Sequence, residues 1–201
     1  MASEHYFSPV PGGELKLRTI RAWIAGRELD LVTANGVFSP EHIDQGTHVL
    51  LSHVPSPPPG GDLLDLGCGW GPIALSLALE SPHATVWAVD VNERALDLVR
   101  ANAEKTSIDN IRAVTPDEVP HDIVFTTMWS NPPIRIGKTE LHELLLRWLP
   151  RLDHGSDAWL VVQRNLGADS LQRWLETSFH DSSVVRTATS KGFRVLRARR
   201  H

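Results

Sequence analysis

The sequence predicts an α/β domain built on a mostly parallel β-sheet with helices on both faces. Three observations carry this. From Gly61 onward, short apolar strands alternate with helical segments of about ten residues. A glycine-rich turn, Gly67–Cys68–Gly69–Trp70–Gly71, follows the first of those strands. Two strand-like segments close the chain in succession, which predicts an antiparallel edge.

The elements follow in chain order. Residues 4–33 mix short apolar groups with turn residues and predict short strands around a turn near Gly26–Arg27. This stretch reads as an extension, residues 1–40, packed on a larger domain, residues 41–201. A helix is expected over Thr47–His53, ended by the proline-rich run Pro55–Gly61. Leu63–Leu66 is the first core strand, Ile73–Leu79 a helix, Thr85–Val89 the second strand and Glu93–Ala103 a helix. Ile111–Val114 and Ile123–Trp129 are the third and fourth strands, and Leu141–Leu149 is a helix with one apolar side. Ala158–Val162 is the fifth strand and Leu171–Phe179 a helix. Ser183–Arg186 and Phe193–Ala198 complete seven strands. Trp23, Trp148 and Trp174 fall on apolar faces and are expected in the core.

Composition sets bounds. The chain has 201 residues, 41% hydrophobic and 22% charged, which suits one soluble domain with a full core. No apolar run approaches the roughly 18 residues of a membrane span, and the start lacks a signal-peptide pattern. With Cys68 the only cysteine, an intramolecular disulfide is impossible and a cytoplasmic setting is expected. Ten scattered histidines show no metal-ligand spacing, so no metal is expected. The net charge of -4 is unusual for a nucleic-acid partner. Lys191, Arg194, Arg197, Arg199 and Arg200 nevertheless cluster at the C-terminus, either as a nucleic-acid patch or as a solvated strand face and tail.

Two loops carry the chemistry. The glycine spacing is GxGxG, which departs from the GxGxxG of dinucleotide sites, and there is no phosphate-loop lysine. Asp65, just ahead of the glycines, suits a cationic ligand better than a pyrophosphate, and S-adenosylmethionine carries an ammonium and a sulfonium. Asp90, at the end of the second strand, can accept both ribose hydroxyls of an adenosine; its alternative role is a helix N-cap, which Asn92 could also fill.

The second loop is Ser130–Asn131–Pro132–Pro133–Ile134, at the end of the fourth strand. Its prolines make a rigid turn. The Asn131 side-chain oxygen and the Pro132 carbonyl are two acceptors suited to both hydrogens of an –NH2 group. Gripping those hydrogens favours a tetrahedral nitrogen and frees its lone pair for attack on a methyl, with no strong base required.

At this point the sequence resembles class I methyltransferases with an NPPY-type loop, and more closely the small-subunit ribosomal RNA guanine-N2 methyltransferase family and its short relatives. HYFSPVP, GVFSPEHIDQGTHVLL, DLGCGWGPIAL, VDVNERALDLVRANAE, SNPPIRIGK, LVVQRNLGADSLQRWLE and KGFRVLRARR carry the resemblance in order, over residues 5–199. It implies a Rossmann-like class I methyltransferase fold: a mostly parallel seven-stranded sheet with an antiparallel edge, plus a small N-terminal β extension. It implies S-adenosylmethionine as cofactor and S-adenosylhomocysteine as product.

By the same resemblance, Asp65, Gly67, Cys68, Gly69 and Gly71 would line the methionine portion, and Asp90 would hold the ribose with Val91 and Asn92 beside the adenosine. Phe38, Asp44 and Thr47 would lie in the segment closing over the methionine end. Asn131 and Pro132 would be catalytic, with Pro133, Ile134, Arg135 and Lys138 toward the substrate, a guanine of ribosomal RNA turned out of its stack. The partner would be ribosomal RNA, the small subunit or an assembly intermediate, and the chain a monomer or a homodimer.

Two departures accompany the resemblance. Ile134 stands where an aromatic residue commonly stacks on the base, leaving Trp129, Trp70 or Phe38 to stack. Thr126, with Asp122 four residues earlier, stands where relatives carry an acid. Longer members also carry an extra N-terminal domain. Without that half, RNA positioning is expected from the N-terminal extension, the basic C-terminus or a partner. The same –NH2 chemistry would serve a protein glutamine amide or an adenine N6. A non-catalytic RNA-binding or assembly module would show erosion at Gly67, Gly69, Asp90 or Asn131, all of which are present.

Overall fold

The computed structural model describes residues 14–201. HYFSPVP, residues 5–11, lies outside the described residues. A β-hairpin opens the described chain, β1 (Leu17–Ile24) and β2 (Arg27–Ala34). Its two-residue turn, Ala25–Gly26, has positive φ at both positions (49° and 72°), as a type I′ hairpin turn requires. The core sheet comprises β3 (Gly60–Leu66), β4 (His83–Val89), β5 (Ile111–Val114), β6 (Phe125–Ser130), β7 (Leu152–Gln163), β8 (Ser182–Ser190) and β9 (Phe193–Arg200). Its order is β5-β4-β3-β6-β7-β9-β8.

Only β9 runs against its neighbours, pairing antiparallel with both β7 and β8. The antiparallel strand is therefore one place in from the edge, and β8 is the edge itself. The chain winds from β3 outward to β5, returns to β6 and winds the other way. The topological switch point thus falls between β3 and β6, where open α/β sheets bind ligands.

Among the described residues five α-helices cover the sheet: α1 (Gln45–Leu51), α2 (Pro72–Glu80), α3 (Glu93–Lys105), α4 (Lys138–Trp148) and α5 (Ala168–Ser178). Alternation along β3 feeds both faces: Leu64 and Leu66 join one core with Leu145, Trp148 and Leu175, while Leu63 joins the other with Leu50, Ile73 and Leu96. The hairpin forms a fourth layer outside α2 and α3, where Leu31 and Ile24 pack on Trp70, Leu75 and Leu98. Trp23 corrects one expectation. It sits on the outer face of the hairpin, 66% exposed, because strand alternation sends Ile24 inward instead. Trp148 is fully buried, and Trp174 is half-buried with its ring stacked on His142.

Candidate active site

The site grows from the ends of β3, β4 and β6. Gly67, Gly69 and Gly71 all have positive φ (77°, 54° and 98°). The Gly67 and Cys68 amides both donate to the Val89 carbonyl, at 2.8 and 3.1 Å, and so tie the turn to the end of β4. At Gly71 the glycine is needed for space as well as for φ: a Cβ there would lie 3.0 Å from Val99 Cγ2 on α3.

Asp90 links the two halves of this cradle. Its Oδ2 accepts from the Gly69 amide and its Oδ1 from the Asn92 amide, each at 2.9 Å. Burial raises its pKa above the ordinary carboxylate value, against the lowering effect of those hydrogen bonds. Asn92 is the N-cap of α3, accepting from the Arg94 amide at 3.0 Å, and its Nδ2 donates to the Gly36 carbonyl at 2.8 Å. Capping thus falls to Asn92, which leaves Asp90 facing the cavity.

Asp65 lies behind the glycines rather than in the cavity wall. Its Oδ2 accepts from the Ala74 amide at 2.8 Å, while its buried Oδ1 has no hydrogen-bond partner among the described residues. Burial pushes its carboxyl well up, and the Asp90 charge pushes it further. Cys68 is buried in the wall. Burial, with Asp90 and Asp65 nearby, drives its thiol well above the ordinary range and so away from the nucleophilic thiolate form.

From β6, the buried Ser130 hydroxyl donates to the Leu66 carbonyl at 2.6 Å and locks the ends of β3 and β6 together. Asn131 follows. Its Nδ2 donates to Asp44 Oδ2 at 2.9 Å and to Thr47 Oγ1 at 3.1 Å. The Pro132 carbonyl accepts from the Ile134 amide at 2.8 Å and keeps one lone pair for another donor.

These groups border one cavity of about 780 Å3. It gathers Phe38, Asp44, Thr47, Gly67, Cys68, Gly69, Asp90, Val91, Asn92, Asn131, Pro132, Pro133 and Ile134. Gly71 and Lys138 are not in its wall. Gly71 is the N-cap of α2, and Lys138 is the exposed first residue of α4. Arg135 falls in the 3-10 turn Ile134–Ile136.

Of the aromatic candidates, Trp129 is 1% exposed in the core with Trp159 and Val161, away from the cavity, and cannot stack on a ligand there. Trp70 forms wall, its Nε1 donating to the Ser39 carbonyl at 3.0 Å, and Phe38 is 43% exposed at the cavity. Thr126 does not replace an acid in the site. Its hydroxyl donates to the Asp62 carbonyl at 3.2 Å, near the start of β3, and Asp122 is exposed ahead of β6. Sequence reasoning missed Phe193, Leu166, Glu140 and Leu144 in the wall; Leu166 arrives from just beyond β7 and Phe193 from the start of β9. Gln163, the last residue of β7, also lines it.

The fold and the ordering of these two loops around a switch point define a class I S-adenosylmethionine-dependent methyltransferase. Residues 28–197 match the family described as "Methyltransferase small domain", and the chain belongs to that family. It is similar to the uncharacterized protein YbxB of Bacillus subtilis (strain 168), 34% identical over 98% of this chain and 99% of that protein. It is also similar to ribosomal RNA small subunit methyltransferase C of Shewanella sp. (strain W3-18-1), 33% identical over 69% of this chain and 41% of that protein.

Among solved structures, it resembles the T. thermophilus 16S rRNA N2 G1207 methyltransferase (RsmC), solved with AdoMet and guanosine. The TM-score is 0.78 at 22% identity, covering 94% of this chain and 52% of that one. The chain thus spans about half the length of these ribosomal RNA methyltransferases. Among the described residues no helix is long and apolar enough to cross a membrane, and no group of three or more His, Cys, Asp or Glu could hold a metal.

Proposed function

We propose that the protein transfers a methyl group from S-adenosylmethionine to the exocyclic 2-amino group of a guanine in small-subunit ribosomal RNA. The observation that carries this is the meeting, in one cavity, of the glycine cradle and Asp90 with the Asn131–Pro132 pair. The cavity volume lies within the 300–1,000 Å3 or so of small-molecule sites. The donor set fits the cofactor. Asp90 would present its carboxyl to the ribose, and behind the cradle the buried Oδ1 of Asp65, without a hydrogen-bond partner among the described residues, would gain from a cation in the cavity. Gly67, Gly69, Cys68, Val91 and Asn92 would complete the pocket, with Phe38 as its cover.

Bound there, S-adenosylmethionine supplies an electrophilic methyl group. The residues of this chain do the rest by placement. Asn131 Oδ1 and the remaining lone pair of the Pro132 carbonyl accept the two amine hydrogens and hold the nitrogen's lone pair away from the ring. Ile134, Leu144 and Leu166 add apolar side chains to the cavity wall. Guanine in small-subunit RNA is favoured over other amines by the kinship with methyltransferase C and RsmC.

RNA phosphate would meet the rim at Arg164 and Lys191. Both are exposed and neither forms an ion pair among the described residues. The Arg164 amide donates to the Gly192 carbonyl at 2.8 Å, so both sit beside the cavity-lining Gln163 and Phe193.

The test is methyl-labelled S-adenosylmethionine with small ribosomal subunits from a strain lacking the gene, Asn131→Ala alongside. Label in N2-methylguanosine, absent with the variant, is expected. Label in protein or in methyladenosine, or no label, would overturn the guanine assignment.

A further inference from the structure

Asn131 must offer its side-chain oxygen, not its nitrogen, to an incoming amine. An amide carries both, and they differ little in shape. Nothing within the loop selects between them: Pro132 and Pro133 have no N–H, and the Ser130 hydroxyl is engaged with Leu66. The Asn131 Nδ2 bonds instead to a segment 87 residues earlier in the chain.

Asp44 is the N-cap of α1, its Oδ2 accepting from the Gly46 amide at 2.7 Å. The same oxygen accepts from Asn131 Nδ2, and the buried Thr47 hydroxyl in the first turn accepts from that nitrogen too. A carboxylate only accepts, so a flipped amide would set Asn131 Oδ1 against Asp44 Oδ2. The surroundings are also close-packed. A Cβ on Gly46 would lie 2.9 Å from Asp44 Oδ2 and from Phe193 Cε1, and 3.3 Å from Asn131 Nδ2.

We propose that Asp44 and Thr47 are positioning residues: together they hold the Asn131 amide nitrogen so that Oδ1 faces the acceptor amine. This rests on the proposed reaction and adds to it. The helix cap that builds α1 also orients the catalytic amide. Because Asp44 and Thr47 sit in the wall that Phe38 and Ser39 continue, the amide and the cofactor wall are set by one segment.

The test uses the full chain with D44S and T47V combined. Serine keeps a capping oxygen for α1 but is too short to reach Asn131, and valine keeps the shape of threonine without the hydroxyl. The first readout needs no acceptor: hydrogen exchange of the 15N-labelled Asn131 side-chain amide. Protection in the wild type, absent in the double variant, is expected. The second is turnover at saturating cofactor, expected to fall about 100-fold, as small misplacements of a reacting group do. Affinity for S-adenosylhomocysteine is measured alongside, because both side chains also sit in the cavity wall, and it separates lost positioning from lost cofactor binding.

T47S should restore the protection and turnover that T47V removes, and that pair serves alone if the double variant does not fold. Equal exchange in wild type and variants, or unchanged turnover, would overturn the proposal, as would a loss explained wholly by cofactor affinity. A protected Asn131 in a protein that methylates no guanine would count against the proposed reaction and leave the positioning intact.

Discussion

Asp65 and Asp90 are two carboxyls whose burial disfavours their charge, and the Asp90 charge raises Asp65 further. A folded-state pKa raised above the unfolded value of about 3.9 stabilises the fold fully at pH below that value. The contribution is lost as pH rises through the folded pKa. Asp65→Asn keeps an oxygen for the Ala74 amide and removes the buried charge. Its melting temperature should therefore exceed that of the wild type at alkaline pH, and the gap should close as pH falls and Asp65 becomes protonated. A cationic ligand acts in the opposite sense, drawing both carboxyls toward the ionised form. Binding of S-adenosylmethionine should then release protons and tighten as pH rises through the ligand-free pKa values. Calorimetry in buffers of different ionisation heat measures this release, which D65N and D90N should each reduce. A pH-independent affinity, or a melting gap that widens in acid, would show that burial does not govern these carboxyls.

At the scale of elements, the hairpin is held by one polar residue as much as by its apolar face. Asn102 on α3 is fully buried. Its Oδ1 accepts from the Val32 amide at 2.7 Å, and its Nδ2 donates to the Val32 carbonyl at 2.9 Å and to the Trp70 carbonyl at 3.1 Å. Asn102→Leu leaves buried backbone groups without partners, and urea unfolding should show a loss of about 2–3 kcal/mol. A loss under about 0.5 kcal/mol, the range of an inconsequential surface change, would mean the hairpin stands on its apolar packing.

Periodicity made the order of strands and helices legible, and the glycine and proline loops made the site's two ends legible. What stayed hidden was what depends on distant partners. Asn102 carries no local signal, since its role is set by Val32, 70 residues away. α1 begins at Gln45, two residues before the apolar pattern suggests, because Asp44 caps it. β7 starts at Leu152, well ahead of Ala158, where polar residues around Gly155 mask a strand whose register with β6 is irregular. The insertion of β9 between β7 and β8 is a matter of sheet order, which hydropathy does not encode.

Across the whole molecule, the C-terminal arginines that invite a nucleic-acid reading are engaged within the fold. Arg199 makes a bidentate pair with Asp157 at 2.9 and 2.7 Å, with Arg197 Nε 3.8 Å from the same carboxylate. Arg194 is buried against Asp169, and Arg200 donates to the Pro150 and Leu152 carbonyls beside Asp181. Of the cluster, Lys191 lies in the β8–β9 turn, at a positive φ of 48°, two residues before the cavity-lining Phe193. A net charge of -4 works against long-range attraction of RNA. On the proposed function, RNA binding would rest on a few cations close to the site.

The two groups of cations should therefore respond differently. R164E with K191E should weaken binding to small-subunit RNA. The slope of log affinity against log salt should fall by about 0.7–0.9 for each phosphate that is no longer neutralised, with melting unchanged. R199Q should lower the melting temperature by leaving Asp157 without its bidentate partner, and leave the salt slope as it was. The reverse pattern, a slope sensitive to Arg199 and indifferent to Arg164 and Lys191, would move the RNA-binding surface from the cavity rim to the outer strands.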